Sequence, residues 1–309
     1  MHREHNTGRP IPKVSIGMPV YDSEGFVREA LDSLLAQTFA DFELIISDDG
    51  STDRTEDICR GYAAKDRRIR YIRHPEHKGM AANFNFLLRE ARGEYFMWAA
   101  HDDRWDREFI ATLLGPLISD EECTTAFCPY VYTDESGKVI SPARVCDYSG
   151  RSTIVRLLRM CWYYDDACFY GLHRRQSIQD ARVPVWWWIN SQCPANNNYP
   201  VLFYLLSVGD YISVGSSPLW FNRLMRQPPY LTSPYAGRPH LAYSAFGLRK
   251  LNVLCESLRS IYLGTSAATT ALLIVPVLLA RFALDNAQYL APRARAGLGI
   301  ALRSLRSRS

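Results

Sequence analysis

The sequence lacks the short motifs that most often mark a nucleotide or metal site. It has no G-x-x-x-x-G-K-[ST] loop, which excludes a P-loop protein, and no G-x-G-x-x-G follows the first predicted strand. The second absence argues against a dinucleotide-binding Rossmann fold. None of the eight cysteines forms a C-x-x-C pair, which excludes zinc-ribbon and thioredoxin-like chemistry. A phosphate ligand of this chain would therefore need positive charge from some source other than a glycine-rich loop.

The sequence also lacks internal repeats, low-complexity segments and an apolar stretch near its first residue. A short polar leader without an apolar core is not a secretion signal, so we expect a cytoplasmic protein with reduced thiols. Hydrophobic residues make up 47% and charged residues 22% of the chain, which is ordinary for a globular protein. A length of 309 residues allows one large domain or two.

Charge is distributed unevenly along the chain. Residues 231–309 contain ten Lys and Arg against two acidic residues, a net charge of +8, so the remainder carries −4 of the total of +4. Residues 260–280 are uncharged, but only 271–280 are continuously apolar, and a membrane span needs roughly 20 apolar residues. Three interpretations stay open for this segment: a packed helix, a basic helix at a membrane surface, and a transmembrane helix.

The first hundred residues alternate between strand and helix patterns. Apolar runs at residues 14–18, 42–47, 69–72 and 95–99 are typical of buried strands, and helical stripes separate them. This order predicts a parallel sheet with right-handed crossovers in an α/β fold. Each polar cluster falls at the carboxyl end of a strand, where open α/β sheets bind ligands.

The pattern after residue 100 is more irregular. Helices are predicted at residues 105–117, 154–160 and 201–207, and a strand at 169–173. A single strand is predicted over 124–132, followed by a turn at 134–137 that is typical of a hairpin. Residues 183–198 form a loop rich in Trp, Pro and Asn. Its run Trp186-Trp187-Trp188 suits either sugar stacking or core packing.

Asp102 and Asp103 follow the most apolar of the predicted strands. Two carboxylates at the exposed end of a buried strand suit a divalent cation that takes phosphate oxygens as its other ligands. The alternative is a solvated turn, and the neighbouring His101 fits either interpretation. At the ends of two other strands, Asp49 can accept a hydrogen bond from a ring N–H and Tyr21 can stack on a base.

These motifs resemble those of family 2 glycosyltransferases with the GT-A fold, a Rossmann-like mixed sheet flanked by helices. The likeness covers about residues 13–118 and continues more weakly through 169–175 and 198–223. It is carried by four segments in order: Val14-Ser15-Ile16-Gly17-Met18-Pro19-Val20-Tyr21, Asp48-Asp49-Gly50-Ser51-Thr52-Asp53, Gly79 with Ala82-Asn83-Phe84-Asn85, and His101-Asp102-Asp103.

The resemblance implies transfer of a sugar from a nucleotide-diphosphate sugar to an acceptor hydroxyl, with inversion, in surface polysaccharide or glycan assembly. The acceptor would be a glycan or a lipid-linked molecule, and nucleic acid is not an expected partner. It assigns Pro19, Tyr21, Asp49 and Asn83 to the nucleotide sugar. Asp102 would approach the ribose and diphosphate, and Asp103 would bind Mg²⁺ or Mn²⁺ together with Asp102.

The chain departs from the family pattern at the general base. The family's acidic residue falls on Asn198 here, and an amide cannot take a proton. Either Asp165 and Asp166 supply the base, or the protein is a weakly active or inactive sugar-nucleotide-binding partner. A solvated turn is the alternative for that acidic pair.

The same resemblance divides the chain into three parts. Residues 11–118 would form the nucleotide-sugar half of a GT-A domain, and 119–230 the acceptor half. Residues 231–309 would form a basic helical extension, able to touch the inner face of the plasma membrane.

Overall fold

The computed structural model describes residues 10–149, 152–163, 165–180, 187–190, 193–195 and 199–224. Within these residues the helices are α1 Val27–Leu35, α2 Thr55–Ala63, α3 Met80–Glu90, α4 Phe109–Ser119, α5 Thr153–Tyr163, α6 Arg175–Asp180 and α7 Tyr199–Val208. The strands are β1 Val14–Val20, β2 Phe42–Asp48, β3 Ile69–Arg73, β4 Tyr95–Trp98, β5 Arg104–Trp105, β6 Cys123–Phe127, β7 Tyr130–Thr133, β8 Leu172–Arg174, β9 Trp187–Asn190, β10 Cys193–Ala195, β11 Asp210–Ser213 and β12 Trp220–Arg223.

A seven-stranded sheet in the order β11-β6-β8-β4-β1-β2-β3 forms the centre of the fold. Strands β1 to β4 are parallel, as the alternating pattern predicted, and β8 runs antiparallel between β4 and β6. The register pairs Val20 with Asp48, so β1 and β2 end side by side. The loops after these two strands therefore begin at the same edge of the sheet.

Every residue of β1 and of β2 is buried, which is typical of parallel strands covered on both faces by helices. Helix α1 contributes the predicted stripe to this core through Val27, Ala30, Leu31 and Leu34. Full burial of a Val or Leu side chain stabilises the fold by about 1.5–3 kcal/mol. This packing fixes the strand ends that carry the polar clusters.

A smaller sheet of order β5-β12-β7 lies beside the first. Two predictions made from the sequence are wrong because its strands were not foreseen. The helix predicted from residue 105 begins at Phe109, because residues 104–105 form β5 and pair with β12. The single strand predicted over 124–132 is two strands in different sheets, separated by Cys128 and Pro129. Proline has no N–H to donate to a sheet, which suits this break.

Two further segments differ from prediction. The strand predicted over 169–173 is a 3-10 turn at Ala167–Tyr170 followed by β8. The predicted loop around the tryptophans contains the antiparallel pair β9 and β10. The hairpin at 134–137 is as predicted, with Thr133 bridging Val139.

The predicted helical extension at 231–309, including its uncharged run, lies outside the described residues. Among the residues described, no helix combines the length and the apolar character needed to cross a bilayer. The domain boundaries stay a prediction, and the central sheet takes strands from both proposed halves of the GT-A domain.

Candidate active site

The end of β2 carries two buried carboxylates with different partners. Asp48 accepts hydrogen bonds from the Ser51 amide at 2.8 Å and from the Tyr71 hydroxyl at 2.5 Å. Burial and the hydrogen bond to Asp48 both raise the pKa of Tyr71, so this phenol stays protonated and donates. Asp48 therefore holds the loop after β2 against β3.

Asp49 instead holds the loop that precedes α3. Its Oδ1 accepts from the Lys78 amide and its Oδ2 from the Gly79 amide, each at 2.8 Å, and the residue is 2% exposed. Gly79 has φ 87°, in the left-handed region that glycine adopts without strain. With Gly79 in this conformation, the loop directs the Lys78 and Gly79 amides towards the Asp49 carboxylate.

Tyr21 and Asp49, predicted to meet a nucleotide, lie on either side of His77. The Tyr21 and His77 rings are 4.4 Å apart between centroids, and His77 Nδ1 is 3.0 Å from Asp49 Oδ2. Sequence reasoning missed His77. The available signal was its place after β3, at the same edge of the sheet as Asp49. Pro19 is buried within β1 opposite Ser47, and its predicted nucleotide contact stays a prediction.

The loops after β1 and β2 are joined by reciprocal hydrogen bonds. Asp22 Oδ1 accepts from the Thr52 amide at 2.8 Å, and the Asp22 amide donates to Ser51 Oγ at 3.1 Å. The Glu24 amide donates to Asp53 Oδ2 at 3.0 Å. Asp22 has φ 45°, a left-handed conformation that is strained for most side chains. The pairing fixes the position of Tyr21, which precedes Asp22.

Asn83 lies deeper than a ligand-binding role would suggest. It is 3% exposed, and its Nδ2 donates to the Ser47 carbonyl at 2.9 Å, so it joins α3 to β2. Its buried Oδ1 has no hydrogen-bond partner among the described residues. The predicted contact between Asn83 and the nucleotide sugar stays a prediction.

Asp103 is not at an exposed strand end, and that expectation is wrong. It is 1% exposed and accepts hydrogen bonds from Trp220 Nε1 and the Arg223 amide, each at 2.9 Å. Burial, and next the negative charge of Asp102, raise the pKa of Asp103. Its carboxylate thus ties the turn after β4 to β12. Its predicted role as a metal ligand stays a prediction.

Asp102 has a different environment from its neighbour. It is half-buried, and within the described part of the chain no hydrogen bond or ion pair holds its carboxylate. His101, also half-buried, lies beside it in the same turn. Asp102 therefore has free oxygen atoms at the end of β4, while Asp103 anchors the backbone that carries it.

Arg223 extends this anchor to α1. Its guanidinium pairs with Glu29, donates to the Glu135 carbonyl at 3.2 Å and lies 5.0 Å from the centre of the Phe26 ring. Arg104 in β5 lies 3.6 Å from the same Glu29 carboxylate. The small sheet is thus fixed to the first half of the chain by charged as well as backbone contacts.

Asp165 and Asp166, the predicted base candidates, precede the 3-10 turn that packs on β4. Asp165 accepts from the Tyr130 hydroxyl at 3.0 Å and from the Ala167 amide at 3.0 Å. Tyr130 in turn packs on Trp220, the donor to Asp103, with ring centroids 5.4 Å apart. The acidic pair and the Asp102–Asp103 turn are thus linked through two aromatic rings. Asn198 and the side chains of Trp186-Trp187-Trp188 lie outside the described residues.

The donor set at the end of β4 fits a hard divalent cation bound through few protein ligands. In the described ranges there is no cluster of three or more His, Cys, Asp and Glu side chains suited to a metal. Mg²⁺ and Mn²⁺ accept one or two carboxylates, with waters and substrate phosphates as the remaining ligands. The free carboxylate of Asp102 meets that requirement, and it would bind the metal together with a diphosphate.

The family model "Glycosyl transferase family 2" matches residues 15–180, more than half of the chain. An uncharacterized glycosyltransferase of Rickettsia typhi, RT0329, is 37% identical over 125 residues. That match covers 40% of this chain and 38% of the relative. The chain thus spans well under half the length of this curated relative.

Solved structures share the fold at low identity. The S. aureus TarS structure in complex with UDP-GlcNAc aligns with a TM-score of 0.63 and 18% identity, covering 87% of this chain and 72% of that one. The Pyrobaculum calidifontis mannosyltransferase PcManGT, in complex with GDP-Man and Mn²⁺, gives a TM-score of 0.52 and 17% identity over 94% of this chain and 81% of that one.

The chain belongs to glycosyl transferase family 2, and its fold is GT-A. It therefore carries a glycosyltransferase domain of the class that the four motifs resemble. The predicted family and fold class are both confirmed for the described part of the chain.

Proposed function

We propose that this protein transfers a sugar from a nucleotide-diphosphate sugar to an acceptor hydroxyl. The observation that carries the proposal is the placement of Tyr21, Asp49 and Asp102 at the carboxyl ends of three adjacent parallel strands. That edge is where α/β sheets bind their ligands. The nucleotide-sugar complexes of the two neighbouring structures support the same assignment.

The binding roles follow from the contacts. Asp49 is held in place by two backbone amides and offers its remaining acceptor capacity to a base N–H, while Tyr21 supplies an aromatic face. Asp102 would hold Mg²⁺ or Mn²⁺ with the diphosphate. When bound, that ion would neutralise charge on the departing nucleoside diphosphate. Asp103 positions Asp102 through Trp220 and Arg223.

Deprotonation of the acceptor hydroxyl would fall to the second half of the chain, with inversion at the anomeric carbon. Asp165 and Asp166 remain the candidates. Asp165 accepts hydrogen bonds from the Tyr130 hydroxyl and the Ala167 amide, which fix the position of its carboxylate. A general base must lie within hydrogen-bond reach of the proton that it takes. Asn198 favours the second candidate function, a sugar-nucleotide-binding partner that does not turn over.

Sugar-nucleotide hydrolysis by the purified protein, with and without Mn²⁺, separates the two candidates. We expect slow, metal-dependent release of nucleoside diphosphate, and loss of that release in Asp102→Asn. Asp57→Asn, which removes an exposed carboxylate on α2, is the matched control and should behave as the wild type. Binding of nucleotide without release across a panel of donors would favour the non-catalytic partner.

We further propose that the acceptor is lipid-linked, in surface polysaccharide or glycan assembly, and that the protein works at the cytoplasmic face of a membrane. The net charge of +8 over residues 231–309 supports this, because each Lys or Arg near an anionic surface contributes about 1 kcal/mol. Sedimentation with anionic and with neutral vesicles tests it. Equal binding to both would contradict the charge-based attachment.

A further inference from the structure

A segment of the chain lies beside β7 in the small sheet and carries an exposed arginine. The chain returns along β7 after its hairpin turn, so that Arg144 bridges Tyr130. The Arg144 guanidinium lies 5.9 Å from the centre of the Tyr130 ring and 5.4 Å from that of Tyr132, within the range of cation–π attraction. In the described part of the chain, no ion pair and no side-chain hydrogen bond holds it. Two aromatic rings thus position a cation whose N–H groups have no acceptor among the described residues.

Arg144 lies on the face of the small sheet that anchors the turn after β4. Residues paired across a sheet share a face, so Arg144 shares one with Tyr130, and Tyr130 with Trp220, its partner in β12. Trp220 donates to Asp103. Neighbouring strands are about 4.8 Å apart, which places Arg144 about 10 Å from β12 across the sheet. Because Tyr130 also donates to Asp165, a ligand held by Arg144 would lie near both acidic turns.

An exposed apolar side chain lies on the same face as this cation. Val139 bridges Thr133, which places Ile140 opposite Tyr132, and the Ile140 amide donates to the Tyr132 carbonyl at 2.9 Å. Ile140 therefore shares a face with Tyr132 and Arg144, and it is 53% exposed. The planar guanidinium of arginine matches the oxygen atoms of a phosphate. A cation and an aliphatic group side by side suit an amphiphile in which a phosphate is joined to an apolar chain.

We propose that Arg144 binds the phosphate of a lipid phosphate acceptor and that Ile140 contacts the apolar chain next to it. This rests on the proposed function, in which the acceptor is lipid-linked, and it assigns the residues that hold that acceptor. The separation of about 10 Å from β12 leaves room for a sugar unit between this phosphate and the turn that carries Asp102. The lipid would then meet the small sheet, while the nucleotide sugar meets the ends of the parallel strands.

Octyl phosphate, methyl phosphate and 1-octanol separate the two parts of this ligand. Each is titrated calorimetrically into the full chain without divalent metal, so that no ion on Asp102 can bind the phosphate. Physiological salt screens charges further than about 8 Å from the ligand, including distant basic residues of 231–309. Arg144→Gln removes the charge, and Ile140→Ser removes the apolar side chain. Lys138→Gln is the matched control, because it removes one exposed positive charge from the same hairpin.

We expect the wild type to bind octyl phosphate about tenfold or more tightly than either of the other two compounds. Arg144→Gln should weaken octyl phosphate about tenfold and leave 1-octanol unchanged, whereas Ile140→Ser should weaken octyl phosphate and leave methyl phosphate unchanged. Lys138→Gln should match the wild type. Absent binding, or octyl phosphate affinity that is unchanged in Arg144→Gln or falls equally in Lys138→Gln, would overturn the proposal. Methyl phosphate binding as tightly as octyl phosphate would overturn the lipid and indicate a soluble, phosphate-bearing acceptor.

Nucleotide-sugar hydrolysis by the wild type distinguishes failure of this inference from failure of the proposed function. If the wild type hydrolyses a nucleotide sugar but Arg144→Gln binds octyl phosphate as the wild type does, only the role of Arg144 fails. If octyl phosphate binding depends on Arg144 but no nucleotide sugar is bound or hydrolysed, the proposed function fails and Arg144 holds a lipid phosphate in some other role. Thermal unfolding of Arg144→Gln and Ile140→Ser, both altered at exposed positions, confirms that each variant is folded.

Discussion

The two predicted halves of the domain hold their carboxylates in different ways. In the first half, each contact joins the ends of neighbouring βα units, 29 or 30 residues apart: Asp22 with Thr52, Glu24 with Asp53, and Asp49 with Lys78 and Gly79. At the junction with the second half, Asp103 is held by residues 117 to 120 positions later, and Glu29 by one 194 positions later. The loops after β1 and β2 are held by contacts between successive βα units, whereas the turn after β4 is held by residues of β12, far along the chain.

The largest effect should come from breaking the long-range contact. Asp103→Ala leaves the Trp220 indole N–H and the Arg223 amide without an acceptor in a buried site, and we expect a loss of about 3 kcal/mol in the free energy of unfolding. Urea denaturation measures it. Asp103→Asn keeps one acceptor oxygen and should lose less.

Asp102→Ala is the matched control for Asp103→Ala, because it removes the neighbouring carboxylate without removing a hydrogen bond among the described residues. We expect its free energy of unfolding to change by less than about 1 kcal/mol. Its metal-dependent nucleotide binding should be lost. Equal stabilities for the two alanine variants would contradict the division of roles between Asp102 and Asp103.

The next largest effect should come from His173, which lies in β8 between β4 and β6. His173 in β8 pairs with β4 and β6, is fully buried, accepts from Thr125 Oγ1 at its Nδ1 and donates from Nε2 to the Phe169 carbonyl. Burial lowers the pKa of His173 to about 4, from 6.5 in the unfolded chain. The neutral ring is thus favoured in the fold. Its contribution is complete above pH 6.5 and is lost as the pH falls towards 4.

We expect this titration to remove about 3 kcal/mol of stability across that pH range. His173→Gln replaces the ring with a neutral amide that has no pKa in the range. Comparing urea unfolding of the two proteins at pH 7, 5.5 and 4.5 isolates the contribution, because other groups titrate in both. Parallel stability profiles for wild type and variant would show that His173 is not the responsible group.

The smallest effect concerns the hydrogen bond between Asp22 and the Thr52 amide, which joins the loops after β1 and β2. Asp22→Ala and Asp22→Gly both remove the acceptor for the Thr52 amide, but only glycine relieves the left-handed backbone at φ 45°. We expect the alanine variant to be less stable than the glycine variant by about 1 kcal/mol. Thermal unfolding of the pair measures this difference. Identical melting would mean that the loop changes conformation when the side chain is lost.

Periodicity and motif order predicted the first four strands and the adjacency of Tyr21 and Asp49. Both depend on contacts within one or two βα units, which local sequence patterns specify. His77 escaped notice because its ring packs on a residue 56 positions earlier, and no spacing rule records that contact.

The predictions that are wrong after residue 100 concern features that depend on contacts between residues distant in sequence. Strand β5 has only two residues, too few to show alternation, and it exists because β12 returns to pair with it. The burial of Asp103 likewise depends on Trp220 and Arg223, which are distant in sequence. A pair of adjacent carboxylates after a strand has the same local pattern whether it is solvated or covered, so only the three-dimensional structure distinguishes Asp102 from Asp103.

The hydrogen bonds between Asp103 and β12 also determine when the turn after β4 can be anchored during synthesis of the chain. A ribosome adds about 5–20 residues per second, so Arg223 is made on the order of ten seconds after Asp103. During that interval strands β1 to β4 can pair, but the groups that donate hydrogen bonds to Asp103 have not yet been synthesised. The turn that carries Asp102 is therefore not anchored. Residues 11–118 are thus synthesised well before the turn that carries Asp102 is fixed, and a nascent chain stalled before Trp220 would lack both donors that hold this turn.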